Sequence, residues 1–182
     1  MPVYGFVIFA AGWLAWMIPF FIVRRRRVTA AAKDRRARWG IVLQALAYAV
    51  LWMNRWTERD PGAIRFAAAA VFFSIGGLLS WTSVLALGRQ WRIDAGLNPD
   101  HELVRHGAYR IVRHPIYASM LAMFLGTASV VALPTLIPVA LILFIAGTEI
   151  RIRIEDRLLA GRFGAEFTAW RKQVSAYLPG IR

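Results

Sequence analysis

Apolar residues fall in long runs separated by short, strongly charged stretches, and the charges do not form one amphipathic stripe. Residues 3 to 23, VYGFVIFAAGWLAWMIPFFIV, carry no charge and are long enough to cross a hydrocarbon core, which takes about 20 residues. A signal peptide would carry its positive charge ahead of the apolar run. Here Arg24 to Arg27 follow it and no small-residue cleavage pattern intervenes, so the run predicts a first span. Residues 39 to 56 predict a shorter second span flanked by Trp39, Trp52 and Trp56, which suit the aromatic belts of a bilayer. Residues 63 to 87 predict a third, with Arg65 at its entrance and small residues at Gly76, Gly77 and Ser80, where an internal neighbour or a partner helix can approach closely. Residues 116 to 133 and 135 to 150 add two more apolar runs, joined through Pro134 without a charge and therefore a tight hairpin. Pro138 falls in the first turn of the fifth helix and need not break it. The pattern predicts an all-α polytopic membrane bundle of about five transmembrane helices.

Composition agrees with that pattern. The 182 residues are 58% hydrophobic, with 8 Trp and 11 Phe, against about 45–50% apolar in a soluble domain. The same figures exclude disorder, and the lack of Cys excludes a disulfide scaffold or a thiolate metal site. A net charge of +13 raises the question of nucleic acid, but the placement of the charges speaks to membrane topology instead. Eight Lys and Arg lie in residues 24 to 38, five in 88 to 114 and seven from Arg151 onward; only Arg55, Arg59 and Arg65 lie elsewhere. Basic loops stay cytoplasmic, so the N-terminus is expected outside and the C-terminus in the cytoplasm, which agrees with an odd number of spans.

The loop from Gly88 to His114 is longer than a plain connection requires and holds all three histidines, His101, His106 and His114. Trp91, Leu97, Leu103, Val104 and Tyr109 give it residues to pack with, so an ordered loop is expected. His101 and His106 are five apart, which is no metal-ligand spacing, and no metal site is expected. Pro115 biases His114 out of the helical region and is itself suited to begin the fourth span. Arg113 and His114 then stand at the cytoplasmic lip of a helix N-terminus, where an Arg, a His and free amides make an anion site. An ordinary basic cluster touching lipid phosphate is the alternative.

If the fifth helix continues past the membrane, Glu149, Arg153 and Asp156 share one face while Arg151, Glu155 and Arg162 share roughly the opposite one. Two salt-bridged solvated faces are the simpler account. Ile150, Ile152, Ile154, Leu158 and Leu159 lie between them, however, so one charged set is a candidate to turn inward. No GxGxxG, Walker, GxSxG or HExxH pattern occurs.

Three stretches, LGRQW (87 to 91), HELVRHGAYRIVRHPIYAS (101 to 119) and EIRIRIEDRLLAGRFGAEFTAWRKQVSAYLP (149 to 179), resemble the isoprenylcysteine carboxyl methyltransferase family and the related phospholipid methyltransferases. The resemblance covers roughly residues 80 to 182 and divides the chain into N-terminal helices, 1 to 79, and a catalytic region, 80 to 182. Arg113, His114 and Tyr117 match the family's RHPxY, and Arg151 and Glu155 its Arg-x3-Glu. Asp156 replaces the usual second Glu, Ala108 stands where Pro is common, and Ser119 where Gly is common.

The resemblance implies S-adenosyl-L-methionine as methyl donor, held in a cytoplasmic pocket formed by the loop and the C-terminal helical extension. It implies a lipophilic acceptor, isoprenoid, prenyl-cysteine-like or phospholipid, entering from the bilayer, with carboxyl O-methylation the expected reaction. The implied cofactor-binding residues are Tyr109, Arg113, His114, Pro115, Tyr117, Glu155 and Asp156, and the implied catalytic pair is Arg151 and Glu155. Arg113 and His114 suit the donor's carboxylate, and Glu155 or Asp156 its ammonium and ribose hydroxyls. The competing expectations are an NADPH-dependent sterol-type membrane reductase and a non-enzymatic lipid-binding bundle.

Overall fold

A computed structural model describes residues 3–23, 31–53 and 61–180. Arg24 to Arg27, Arg55, Trp56 and Arg59, on which part of the charge and belt reading rests, lie outside the described residues. Five long helices follow in order: α1 (Val3–Ile22), α2 (Ala37–Leu51), α3 (Ala63–Leu87), α4 (Pro115–Val131) and α5 (Ile137–Gln173). α1 and α3 are long and apolar enough to cross a membrane, whereas α2 and α4, at 15 and 17 residues, are shorter apolar helices. The second helix therefore ends at Leu51, before the predicted boundary.

α3 packs most extensively on α4 and α1, and α2 on α5. Glycines set both closest approaches. A Cβ on Gly40 would lie 2.5 Å from the Gly147 carbonyl oxygen, and one on Gly147 2.5 Å from the Gly40 oxygen, so only glycine lets α2 and α5 cross at this distance. Gly76 lies against Met123 and Gly126 against Phe73, which joins α3 to α4. The small-residue patch on α3 thus serves internal neighbours: Ser80 donates to the Trp16 carbonyl at 2.7 Å.

Pro19 explains a second α1–α3 contact. Proline has no N–H to give to the carbonyl four residues back, that of Ala15. The Trp81 indole N–H donates to this oxygen at 2.9 Å. Arg65 acts similarly at the other end of the bundle, donating to the Ser129 and Ala132 carbonyls, both at 2.6 Å, among the last turn's unpaired oxygens of α4. The α4–α5 hairpin turns at Pro134, with the Leu136 N–H bonded to Leu133, and Phe124 stacks on Phe144 across it at 4.5 Å.

The connections at the opposite end are tied to each other. β1 (Ala32–Lys33) pairs antiparallel with β2 (Gly96–Leu97), an addition to the all-α expectation. Lys33 reaches Asp94 at 2.7 Å and Arg92 holds the same carboxylate at 2.9 Å. The hydrogen bond from Arg92, with help from Lys33, draws the Asp94 pKa down to about 2. The long loop is ordered, as expected, with short 3-10 turns at Gly88–Gln90 and Gly107–Arg110.

α5 runs far beyond its apolar part and breaks at Gly164, whose φ of 53° lies in the left-handed region that glycine tolerates. Past that break, Phe167 and Trp170 turn back onto Tyr109 in a separate buried cluster. The chain then pairs in parallel with the segment before α4: Arg113 and His114 N–H groups donate to the Ser175 and Ala176 carbonyls, both at 2.8 Å.

Candidate functional site

A cavity of about 460 Å³, within the usual range for small-molecule sites, opens where α1, the long loop, α4 and α5 meet. Its walls differ in character from end to end. Trp16, Met17, Phe20 and Phe21 of α1, with Ile116 and Met120 of α4, make one side apolar. Gln90, His101, Arg113, His114, Arg151 and Glu155 make the other side polar.

Tyr117 organises the two α5 residues singled out from sequence. Its hydroxyl donates to Glu155 and accepts from Arg151 Nε at 2.8 Å. Arg151 and Glu155 thus meet through a phenol oxygen placed between them by α4. Arg151 also lies over the Tyr117 ring, 5.2 Å from its centre, and gives a second N–H to the Ile93 carbonyl at 3.0 Å. The stem of Arg151 passes Gly40 of α2, where a Cβ would lie 2.5 Å from Arg151 Cγ.

Behind this pair sits a buried charged cluster. His114 Nε2 lies 2.8 Å from Asp156 Oδ1, and His114 Nδ1 is 3.5 Å from Glu155. Burial alone would lower the His114 pKa, but hydrogen bonds to Asp156 and Glu155 prevail and raise it to about 8. Both ring nitrogens are then protonated at neutral pH, and the imidazolium holds the two carboxylates apart on its two sides. Burial likewise opposes ionisation of Asp156, yet His114, Arg113 and Arg171 bring its pKa below the ordinary value. Burial, and then Glu155, raise the phenol of Tyr109 well above its usual value, so it stays neutral.

The expected site residues therefore separate. Tyr109, Arg113, His114, Tyr117, Arg151 and Glu155 line the cavity together. Asp156 is behind its wall and faces a second cavity on the other side of α5. Pro115 begins α4, as its residue type favours, and leaves its lip to His114. Arg113 gives its terminal nitrogens to Asp156 at 3.2 Å and to the carbonyls of Arg171 and Val174, so only Nε remains free.

Three buried polar atoms of the cavity-lining residues lack a protein partner: Gln90 Oε1, His101 Nδ1 and Arg113 Nε. Unpaired buried polar atoms are costly, so such a set fits a ligand that both donates and accepts hydrogen bonds. Gln90 and His101 were not singled out as ligand residues from sequence; nothing in their spacing distinguishes them from loop polar residues. Burial, and then Arg162 and Arg92, lower the His101 pKa, which keeps that ring neutral. Among the described residues no group of three or more His, Asp or Glu side chains gathers as metal ligands.

Fold and site together define a helical bundle with apolar outer helices and a cavity that is apolar at one side and ionisable at the other. The chain belongs to the isoprenylcysteine carboxyl methyltransferase family, whose model matches residues 68–161, more than half of it. It is 29% identical over 109 residues to a protein-S-isoprenylcysteine O-methyltransferase of Tribolium castaneum, covering 59% of this chain and 39% of that protein. It is 30% identical over 114 residues to a probable protein-S-isoprenylcysteine O-methyltransferase of Oryza sativa subsp. japonica, covering 61% and 59%. Protein-S-isoprenylcysteine O-methyltransferase B of Arabidopsis thaliana is 29% identical over 110 residues, covering 59% and 55%. The matches thus span between two fifths and three fifths of these relatives. The matched region holds every expected site residue but leaves out α1 and Trp170, which also line the cavity, and α2, whose Gly40 lies against the Arg151 stem.

Proposed function

We propose that the chain is a multi-pass membrane methyltransferase that moves a methyl group from S-adenosylmethionine to a lipophilic acceptor, with a carboxylate the preferred acceptor group. The observation that carries this is the two-sided cavity: apolar walls from α1 and α4 on one side, unpaired polar atoms and Glu155 on the other. The names of the relatives support a prenylated-cysteine acceptor; isoprenoid and phospholipid acceptors suit the same walls.

When bound, S-adenosylmethionine supplies an electrophilic methyl group on a sulfonium. Gln90, His101 and Arg113 Nε are suited to hold its polar groups, and Glu155 to accept from its cationic end. Arg151, fixed by Tyr117 and by the Ile93 carbonyl, turns an anionic acceptor toward the donor. Phe20, Trp91 and Leu158 keep water from the apolar side. A carboxylate acceptor is already ionised and needs no base. An amine acceptor would need one, and a protonated His114 has no lone pair to offer, which leaves Glu155.

Membrane placement is part of the proposal. A core helix of a soluble protein is mostly buried, yet the most apolar window of α1 is only 11% buried and that of α3 33%. With five spans the N-terminus lies outside and the C-terminus in the cytoplasm. The pairing of β1 with β2, and of residues 112–114 with 175–176, supports this by gathering the basic connections at one end.

The test is calorimetric titration of the detergent-solubilised chain with S-adenosylmethionine and with NADPH, followed by methyl transfer to prenylated-cysteine and lipid acceptors. Arg151→Lys and Glu155→Asp should each lower turnover about 10²-fold with little change in melting temperature, since about 1 Å of misplacement has that effect. Binding of NADPH alone points to a reductase, and binding of neither to a non-enzymatic bundle. Either result overturns the proposal.

A further inference from the structure

On the face of α5 opposite Arg151 and Glu155 lies a second cavity of about 550 Å³, between α5 and the chain that follows it. Four arginines, Arg113, Arg153, Arg157 and Arg171, border it against two carboxylates, Glu149 and Asp156. The pairings within it leave positive charge over. Arg153 meets Glu149 at 3.4 Å and Arg171 meets Asp156 at 3.6 Å, both arginines being more than half exposed. Asp156 is in addition already held by Arg113 and His114. Arg157 forms no ion pair among the described residues, although it lies near enough to Asp34, outside the cavity, to help Arg36 lower that carboxyl's pKa.

The position of the cavity matters as much as its charge. The uncharged run of α5 ends at Glu149, so Arg153 and Arg157 occupy the first turns beyond the apolar helix, at the depth of headgroups if α5 spans a bilayer, and Arg113, just ahead of α4, borders the same recess. Ile152 and Leu178 add an apolar margin. Arginines set around a recess at this depth suit a phosphate oxyanion, by charge and by their forked donors.

We infer that this second cavity is a binding site for a phosphate-bearing anion, either the headgroup of an anionic phospholipid or free phosphate. It opens on the other face of α5 from the cavity of the proposed reaction, with Arg113 in the wall between them, and its test reads binding through Arg153 and Arg157, so its outcome does not depend on what the chain catalyses.

The experiment is calorimetric titration of the whole protein in neutral maltoside micelles with three probes: dihexanoyl phosphatidylglycerol, dihexanoyl phosphatidylcholine and inorganic phosphate. Phosphatidylglycerol is expected to bind, and the Arg153→Gln/Arg157→Gln double variant to lower its affinity at least tenfold. Arg110→Gln, which removes an exposed charge elsewhere, should leave the affinity within twofold. Phosphatidylglycerol binding without phosphate binding assigns the site to a lipid headgroup, and phosphate binding alone to the free anion. Competition between the two assigns it to the shared phosphate. Equal binding of phosphatidylcholine and phosphatidylglycerol overturns the inference, as does binding of none of the probes. Equal losses in the double variant and in Arg110→Gln, or unchanged affinity in the double variant, overturn it too.

Discussion

Replacing Tyr117 with phenylalanine removes one oxygen atom and keeps the ring that Arg151 lies over. Tyr117 is 5% exposed, and its hydroxyl joins two charged groups, donating to Glu155 and accepting from Arg151. A hydrogen bond to a charged group is worth about 1.5–3 kcal/mol, so the low estimate for two such bonds is about 3 kcal/mol. Without the phenol oxygen, Arg151 and Glu155 can approach one another along the helix at i, i+4 and recover about 0–1 kcal/mol. About 2 kcal/mol of positioning energy remains lost, which corresponds to roughly thirtyfold in rate. The assay is transfer of a labelled methyl group from saturating S-adenosylmethionine to an acceptor that the wild-type protein methylates, with melting temperature measured alongside. The loss should fall on kcat, because the ring, the cavity walls and the unpaired atoms of Gln90 and His101 are unchanged. Turnover within threefold of wild type, in a variant that melts normally, would show that the phenol bridge does not align the reacting groups.

Two further outcomes follow from the packing and the charges. The raised pKa of His114 stabilises the folded state fully below its ordinary value of 6.5, and that contribution fades as pH rises through about 8; the lowered pKa of Asp156 gives a contribution that fades only as pH falls below the ordinary 3.8. Melting temperature should therefore decline between pH 7 and 9 in the wild type and more weakly in His114→Gln or Asp156→Asn, and equal slopes in all three would refute the assignment. Gly40→Ala should destabilise by about 1–3 kcal/mol and reduce turnover, since its Cβ meets both the Gly147 oxygen and the stem of Arg151. Gly77→Ala meets only the Ala15 Cβ, at 3.9 Å, and should be neutral or stabilising in the same thermal melts; a reversed order would contradict the glycine contact between α2 and α5.

The helices were legible because apolar runs and prolines are local signals. The run from 63 to 87 coincides with α3, the run from 3 to 23 exceeds α1 by one residue, and Pro134 and Pro115 stand where a turn and a helix start were expected. The apolar pattern of the second run continues through Trp52 and Met53, although α2 stops at Leu51, and residues 54 to 56 of that run lie outside the described residues. Helical spacing also separated Arg151, Glu155 and Arg162 from Glu149, Arg153 and Asp156, and Arg151 and Glu155 do border a different cavity from the second group, while Arg162 lines neither and donates to the Pro99 carbonyl. What spacing does not reveal is which face meets the site, because successive residues differ by about 100° and either acid at 155 and 156 satisfies the pattern. The interposed Tyr117 hydroxyl, the cross-loop pairing of β1 with β2 and the unpaired atoms of Gln90 and His101 depend on contacts distant in sequence, so no local signal announces them.

The division between the matched region and the rest of the chain is also a division of physical roles. Residues 68–161 include the groups at the polar side of the cavity, from Gln90 through His114 and Tyr117 to Arg151 and Glu155. α1 lies outside the match, yet it supplies Trp16, Met17, Phe20 and Phe21 to the apolar side. The Trp16 indole N–H donates to Ser119 of α4 at 3.0 Å, and the Phe20 ring sits 5.0 Å from that of Trp91 in the long loop. These contacts fix the apolar wall against the polar one without any of its α1 residues touching Arg151 or Glu155 through a hydrogen bond. On the proposed function, changes in α1 alter which lipophilic group fits, while the alignment held by Tyr117 stays as it is. α2 acts in the opposite sense: it gives the cavity no wall, but Gly40 leaves the space through which the Arg151 stem reaches Tyr117. A membrane anchor would need neither contact, so both N-terminal helices belong to the architecture of the site.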